Sequence, residues 1–185
     1  MADGFVLPPG GGEQVGPGRM GITIKVGTRD GAAVSMFETV IGPGFDVGAH
    51  VHRGAEELFF VLEGELDLLA FEPRVRTSGD WQDWESAGGR KVVRGGPGSF
   101  MYVPRGCPHA FSNPGPGVAR VLFQVTPAGH ERYFHQLADY MRSGRLHALA
   151  ELRSRHDIEQ LTAPGRRPAF DGLIGRAAGI QEGHP

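Results

Sequence analysis

Residues 44–64 read GFDVGAHVHRGAEELFFVLEG, and this stretch decides the fold. It carries His50, His52 and Glu57 within residues that otherwise have the composition of β-structure. In a strand, side chains at i and i+2 leave the same face, so His50 and His52 point the same way. A four-residue hairpin loop over Arg53-Gly54-Ala55-Glu56 would return Glu57 directly opposite His52. Directly opposed residues share a face, with Cβ atoms roughly 5 Å apart. Two imidazoles and a carboxylate then converge, which is most of a metal site.

The stretch sits in a chain of 185 residues, long enough for one well-formed core and short for two. Net charge is −2, from 19 basic and 21 acidic residues, with no long block of either sign. That balance argues against electrostatic binding to nucleic acid or to an anionic membrane surface. Cys107 is the single cysteine, so an intrachain disulfide is excluded and a reducing, cytoplasmic location is expected. No basic region followed by an apolar run opens the chain, and no apolar stretch approaches the ~20 residues that span a bilayer. The 30 glycines and 14 prolines fall between short apolar runs, which suits an all-β domain with tight turns.

Residues 1–19 are rich in glycine and proline and read as a flexible arm, with Phe5 to Leu7 able to dock on a neighbouring surface. Ile22, Ile24 and Val26 alternate with polar residues, as in a half-buried strand, and Ala33 to Ile41 reads as a second. Leu58 to Leu62 is continuously apolar, the pattern of a strand buried on both faces. Its outer face then requires cover from a helix, a loop or a second subunit. Residues 72–96 form a long, polar loop that holds both tryptophans, Trp81 and Trp84. It reads as a surface excursion pinned by those rings, with a lid or a dimer contact as the alternative. Strands follow over Ser99 to Val103, from His109, and through Val121, Phe123 and Val125. After residue 128 the period changes to helical: Phe134, Leu137, Ala138 and Met141, then Leu146, Leu149 and Leu152. The division expected is an arm (1–19), a barrel (20–128), helices (129–163) that could cover the Leu58 to Leu62 face, and a flexible tail (164–185).

Gly44, His50, His52, Glu57 and Gly64 stand at the spacing of the first cupin motif. Gly98, Pro104, Gly106, His109 and Asn113 stand at that of the second. The chain therefore resembles the cupin superfamily. The resemblance implies a double-stranded β-helix, or jelly-roll barrel, with a divalent metal held by His50, His52, Glu57 and His109. Three nitrogen ligands disfavour oxygen-seeking ions such as Ca²⁺, while iron, manganese, nickel, cobalt and zinc all suit the set. About two positions would stay open on an octahedral ion for substrate and for water or O₂.

Length and helical tail make the chain similar to the single-domain, quercetinase-like dioxygenases, and residues 126–134 (TPAGHERYF) look like the strand-to-helix exit of that group. The resemblance implies oxidation of a flavonol-like or polyketide-like enol, with Glu57 as the base that takes the enol proton. Two other readings use the same site: isomerisation or cyclisation without O₂, and a binding module that senses without turnover. Phe59, Val61, Met101, Val103 and Phe111 are candidates to line an apolar cavity for an aromatic substrate. A homodimer is expected, as is common among cupins.

Other residues carry weaker signals. His130 and His135 in HERYFH are five apart, about 140° around a helix, and so do not match the metal-binding i, i+4 pair. Cys107 reads as a small buried filler, Glu56 as a solvated residue, and His147, His156 and His184 as surface positions.

Overall fold

The structure is a computed structural model and describes residues 3–15 and 20–165. Eleven strands and two helices are formed among the described residues. The strands are β1 (Glu13–Val15), β2 (Met20–Val26), β3 (Ser35–Ile41), β4 (His50–Val51), β5 (Glu56–Glu63), β6 (Leu66–Ala70), β7 (Val93–Gly95), β8 (Phe100–Val103), β9 (His109–Ser112), β10 (Ala119–Thr126) and β11 (Glu159–Gln160). The helices are α1 (Glu131–Arg142) and α2 (Leu149–Arg155). One sheet has the order β1-β2-β3-β10-β5-β8 and the other β11-β4-β9-β6-β7, with antiparallel pairing throughout. The two sheets enclose the core of an all-β jelly roll. No helix among the described residues is long and apolar enough to cross a membrane.

Strand alternation builds the core. Ala119, Val121, Phe123 and Val125 of β10 point inward, and their neighbours Arg120, Leu122, Gln124 and Thr126 point outward. Phe123 lies opposite Phe37 of β3 and Phe59 of β5, and the three rings stack across the sheet with centroids 4.6 and 5.4 Å apart. Pairs of this kind contribute more than their buried area alone.

Three expectations change here. Leu58 to Leu62 is buried on one face only: Phe59 and Val61 are interior, whereas Phe60 is 41 % exposed. Its register neighbours Phe100 and Tyr102 are 61 % and 49 % exposed, so among the described residues the β5–β8 end of this outer face is apolar and open. The helices lie elsewhere, with Tyr133, Phe134 and Ala138 of α1 packed into the core that contains Phe37 and Phe123, over one mouth of the barrel. Residues 13–15 of the expected arm add an edge strand to β2, and Phe5, Leu7 and Pro8 line a shallow groove with Met36 and Leu122.

The helical segment stops at Arg155, and β11 lies against β4, the strand of His50. The loop expected over residues 72–96 is shorter, because its residues 93–95 form β7 at the edge of the second sheet, and the rest covers that sheet. Trp81 and Trp84 are buried against Leu69, Phe71 and Ala110, which is the pinned excursion. His184 and most of the expected tail lie outside the described residues.

Candidate metal centre

The hairpin expected between His52 and Glu57 does not form. β4 belongs to the five-stranded sheet and β5 to the six-stranded one, so residues 52–55 are a corner between sheets. Two anchors bend it. Gly106 donates its N–H to the His52 carbonyl at 2.7 Å, and the Asp157 carboxylate accepts from the N–H groups of Arg53 and Gly54 at 3.0 and 2.7 Å. Glu57 meets the histidines because the inner faces of the two sheets look at each other.

His109, at the start of β9, is the direct partner of His50 on β4. The His50 and His109 rings are 4.1 Å apart, and each is within 5.2 Å of His52. Glu57 Oε1 lies 3.4 Å from His52 Nε2, and Oε2 lies 2.9 Å from His109 Nε2. All four residues are buried, and one ligand atom from each falls within 4.8 Å of the others. The structure thus brings together His50, His52, Glu57 and His109.

The hydrogen bonds around the site fix the tautomers. His50 Nδ1 donates to the Gly48 carbonyl at 2.9 Å, His52 Nδ1 to Asp157 at 2.8 Å, and His109 Nδ1 to Cys107 at 3.1 Å. A carbonyl only accepts, so each Nδ1 carries the hydrogen and each Nε2 presents a lone pair. Close as it is to Glu57, His109 Nε2 is out of line for a hydrogen bond and is left without a partner. The site is therefore a ring of acceptors with no donor among them. Such a ring is repulsive by itself and becomes favourable around a cation. A proton relieves one contact, whereas a divalent ion accepts from all four groups. The residues fit a metal, and the Nδ1–H···O=C bonds are the supports that orient metal-binding imidazoles.

Electrostatics agree with this. Burial, followed by the neighbouring His109 and His52, pushes the His50 imidazole well below its ordinary value and keeps it neutral. Burial alone would raise the Glu57 carboxyl, but positive charge beside it, on His109 foremost, outweighs that and holds the group well below the usual carboxylate range, and a bound cation would supply the same charge where the imidazoles are neutral.

Gly48 shows how tightly the support is built. It has φ 72°, and a Cβ there would stand 2.6 Å from Gln160 Nε2 and from the Thr162 carbonyl, so only glycine fits. Asp46 holds the same turn by accepting from the Gly48 N–H at 2.8 Å and from Trp81 Nε1 at 2.9 Å. The buried tryptophan of the long loop is thereby tied to the turn that orients His50.

A sequence profile of the cupin family matches residues 28–148, well over half of the chain. The chain belongs to the cupin family. Solved structures share this fold. A protein from Thermotoga maritima described as a predicted oxalate decarboxylase aligns with TM-score 0.51 and 17 % identity, over 66 % of this chain and 99 % of that one. The polyketide cyclase RemF from Streptomyces resistomycificus aligns with TM-score 0.51 and 22 % identity, over 69 % and 81 %. An oxalate oxidase aligns with TM-score 0.44 and 21 % identity over 60 % of this cupin, which spans about half (52 %) of that chain. At these identities the likeness is one of fold. No functionally curated protein matches the chain in sequence.

The cupin cluster opens into a cavity of about 290 Å³. Phe59 and Phe111 line it, as the sequence suggests, whereas Val61, Met101 and Val103 are plain core. His130, set aside in the sequence as a failed zinc-helix match, proves to be a wall of this cavity. Its ring stands 5.6 Å from His52 and packs on Phe134 and Tyr133 at 5.0 and 5.4 Å. Burial pushes its imidazole down to about 4, with the Glu57 carboxylate working in the opposite direction, so it is neutral at pH 7. His135 sits apart, 3.6 Å from Glu13, and Glu56 faces Arg105 outside the barrel at 3.6 Å. Cys107 is half-buried beside His109 and contributes its carbonyl rather than its thiol.

Two further functional positions escape sequence reasoning. Asp157 stands 105 residues from the His52 ring it holds. Glu131, the first residue of α1, accepts from the Thr28 N–H at 2.9 Å and the Gly129 N–H at 3.1 Å, and from the Thr28 and Ser35 hydroxyls. It locks the start of the helix one residue after His130. The only sequence signal for it is an acidic residue at a helix N-terminus.

Proposed function

We propose that this cupin is a metal-dependent dioxygenase acting on an aromatic or polyketide-like enol. The observation that carries the reading is the placement of the cluster: three imidazoles and one carboxylate gathered together, of which His50, His52 and Glu57 line an apolar cavity. Phe45, Phe111, Phe123 and Phe134 suit a flat, apolar substrate, and a cavity so lined also admits neutral O₂. His50, His52, Glu57 and His109 would hold one divalent transition metal. When bound, it supplies Lewis acidity towards an enol oxygen and the redox partner that O₂ chemistry needs. Glu57 is the base: its carboxylate is ionised and faces the cavity, ready to take the enol proton onto an oxygen. His130, neutral and beside His52, offers the substrate a hydrogen-bonding nitrogen. The single thiol, Cys107, suits a reducing cytoplasm.

The test is oxygen uptake by protein reconstituted in turn with iron, manganese, nickel, cobalt and zinc, using flavonol and polyketide-type enols. Stoichiometric O₂ consumption with at least one metal is expected. A product at unchanged oxidation level would replace the dioxygenase with a cyclase or isomerase. Tight binding without turnover would replace it with a sensor.

The reading includes a homodimer joined through the outer face of the six-stranded sheet. Phe60, Phe100 and Tyr102 are each more than 40 % exposed at its β5–β8 end, an apolar cluster that a second copy of the chain would cover. Sedimentation of a monomer would remove this part of the proposal, and Phe60→Glu is expected to convert dimer to monomer.

A further inference from the structure

The cavity holds one cation that the chemistry above does not use. Arg153 of α2 lines it, half-buried, among residues that are mostly aliphatic or aromatic. Among the described residues Arg153 makes no ion pair, unlike its neighbour Arg155, which reaches Glu151 and the Tyr140 hydroxyl. The carboxylates that share the cavity are committed. Asp46 accepts from Gly48, Trp81 and Gln82, and Glu57 faces the histidines. Tyr133 is buried and lines the same cavity as Arg153, near enough for the guanidinium charge to act on its phenol. Burial raises that phenol, so it remains a proton donor at neutral pH. The guanidinium has five N–H donors in a planar fork, and one phenol oxygen satisfies few of them. A cation half-removed from water and left unpaired is costly, and an incoming anion relieves that cost.

Its position relative to the metal cluster follows from the ring contacts. His52 stands 5.6 Å from His130 and His130 stands 5.4 Å from Tyr133, ring to ring, and Tyr133 and Arg153 line the same cavity. The rings of His130 and Tyr133 therefore separate the cation from the metal ligands, along a wall suited to an aromatic skeleton.

We propose that Arg153 and Tyr133 form an anion subsite, so that the substrate is an aromatic or polyketide-like enol bearing a carboxylate at the end remote from His50, His52, Glu57 and His109. The proposal rests on the reading of the cavity as the substrate site and narrows its substrate class. The carboxylate accepts N–H bonds from the guanidinium and the O–H of Tyr133, while the enol end lies at the metal cluster.

The test compares binding of 6-hydroxy-2-naphthoate and its neutral carboxamide, near-isosteric probes, by fluorescence titration of the full chain, metal-loaded and chelator-treated. Wild type is expected to prefer the carboxylate by about tenfold or more, as a desolvated charge-assisted pair allows. Arg153→Met should bring the ratio to within about threefold, with the carboxylate affinity falling far more than the carboxamide affinity. Arg153→Lys should keep part of the preference, which separates lost charge from lost packing. A ratio near one in wild type, or no binding of either probe at millimolar concentration, overturns the subsite. A tenfold preference that survives Arg153→Met also overturns it, because the carboxylate then sits on the metal cluster. If only the metal chemistry is wrong, the preference persists in chelator-treated protein. If only the subsite is wrong, metal content and O₂ uptake persist without the preference.

Discussion

Asp157 supports the candidate metal centre from a segment that carries none of its four residues, and its removal tests whether outer contacts set metal affinity. Its carbonyl holds the His52 Nδ1 hydrogen at 2.8 Å, and its carboxylate holds the Arg53 and Gly54 N–H groups at 3.0 and 2.7 Å. It does this from left-handed backbone, φ 58°, which asparagine and aspartate tolerate better than alanine. Asp157→Ala deletes two solvent-exposed hydrogen bonds, about 1 kcal/mol each, and adds about 1 kcal/mol for a Cβ in that conformation. The corner that turns His52 into the barrel and the carbonyl that fixes its tautomer then loosen together. Loss of such support typically weakens metal binding about 10- to 100-fold, roughly 1.4 to 2.7 kcal/mol.

Two companion substitutions separate the causes. Asp157→Gly removes the carboxylate but relieves the backbone, and Asp157→Asn keeps the backbone preference and one acceptor oxygen. Competition with a chromophoric chelator for cobalt should rank affinity as wild type, Asn, Gly, Ala. The metal-induced rise in melting temperature should shrink in the same order, since the stabilisation grows with the logarithm of metal concentration over Kd. If Ala and Gly variants bind cobalt as tightly as wild type, Asp157 does not orient His52. If all variants melt earlier by one amount with and without metal, the role is structural alone, and the reasoning about the tautomer is refuted.

Other consequences are simpler to check. His50→Ala or His109→Ala should strip the metal and abolish turnover, and a purified variant with full metal content by elemental analysis removes that residue from the ligand set. Glu57→Gln should retain metal, though bound more weakly, and lose about 10²- to 10⁴-fold in kcat if the carboxylate is the base; wild-type rates would end that role. Glu131 gives a pH signature. Burial would raise its carboxyl, but hydrogen bonds from Ser35 and Thr28 bring it from 4.5 down to about 2, so the folded state favours the ionised form. Its stabilisation is therefore complete above pH 4.5 and is lost as pH falls towards about 2. Glu131→Gln should melt about 4–8 °C lower at pH 7, from about 2 kcal/mol of charge-assisted bonding, and should lack the wild type's loss across that window. An equal acid loss in both proteins would assign it to other carboxylates.

What could be read from the sequence was what is local. His50 and His52 at i, i+2, Glu57 shortly after and His109 beside a turn are short-range patterns, and the structure brings all four together. The path by which they meet was misread because strand pairing is not local. A hairpin over residues 53–56 and a corner between two sheets need the same polar, glycine-containing sequence. Only the Asp157 and Gly106 anchors, distant in the chain, select the corner. The Leu58 to Leu62 run misled for a different reason: an apolar outer face and a doubly buried strand look identical when the covering partner is not part of the sequence. The spacing of His130 to His135 says nothing of the cavity, because its place there depends on where α1 crosses the barrel mouth. That crossing is set by Glu131 gripping Thr28 and Ser35, roughly a hundred residues away in sequence (103 and 96). Arg153 lies on a helix with no ligand pattern of its own and becomes a cavity residue through the same crossing. The four clustered residues of this cupin are thus written within two short motifs, whereas His130, Tyr133 and Arg153 of the cavity wall are brought in by the segment that closes the barrel. A family assignment can therefore be secure while the substrate is decided by residues outside both motifs, and the Arg153 titration addresses those residues directly.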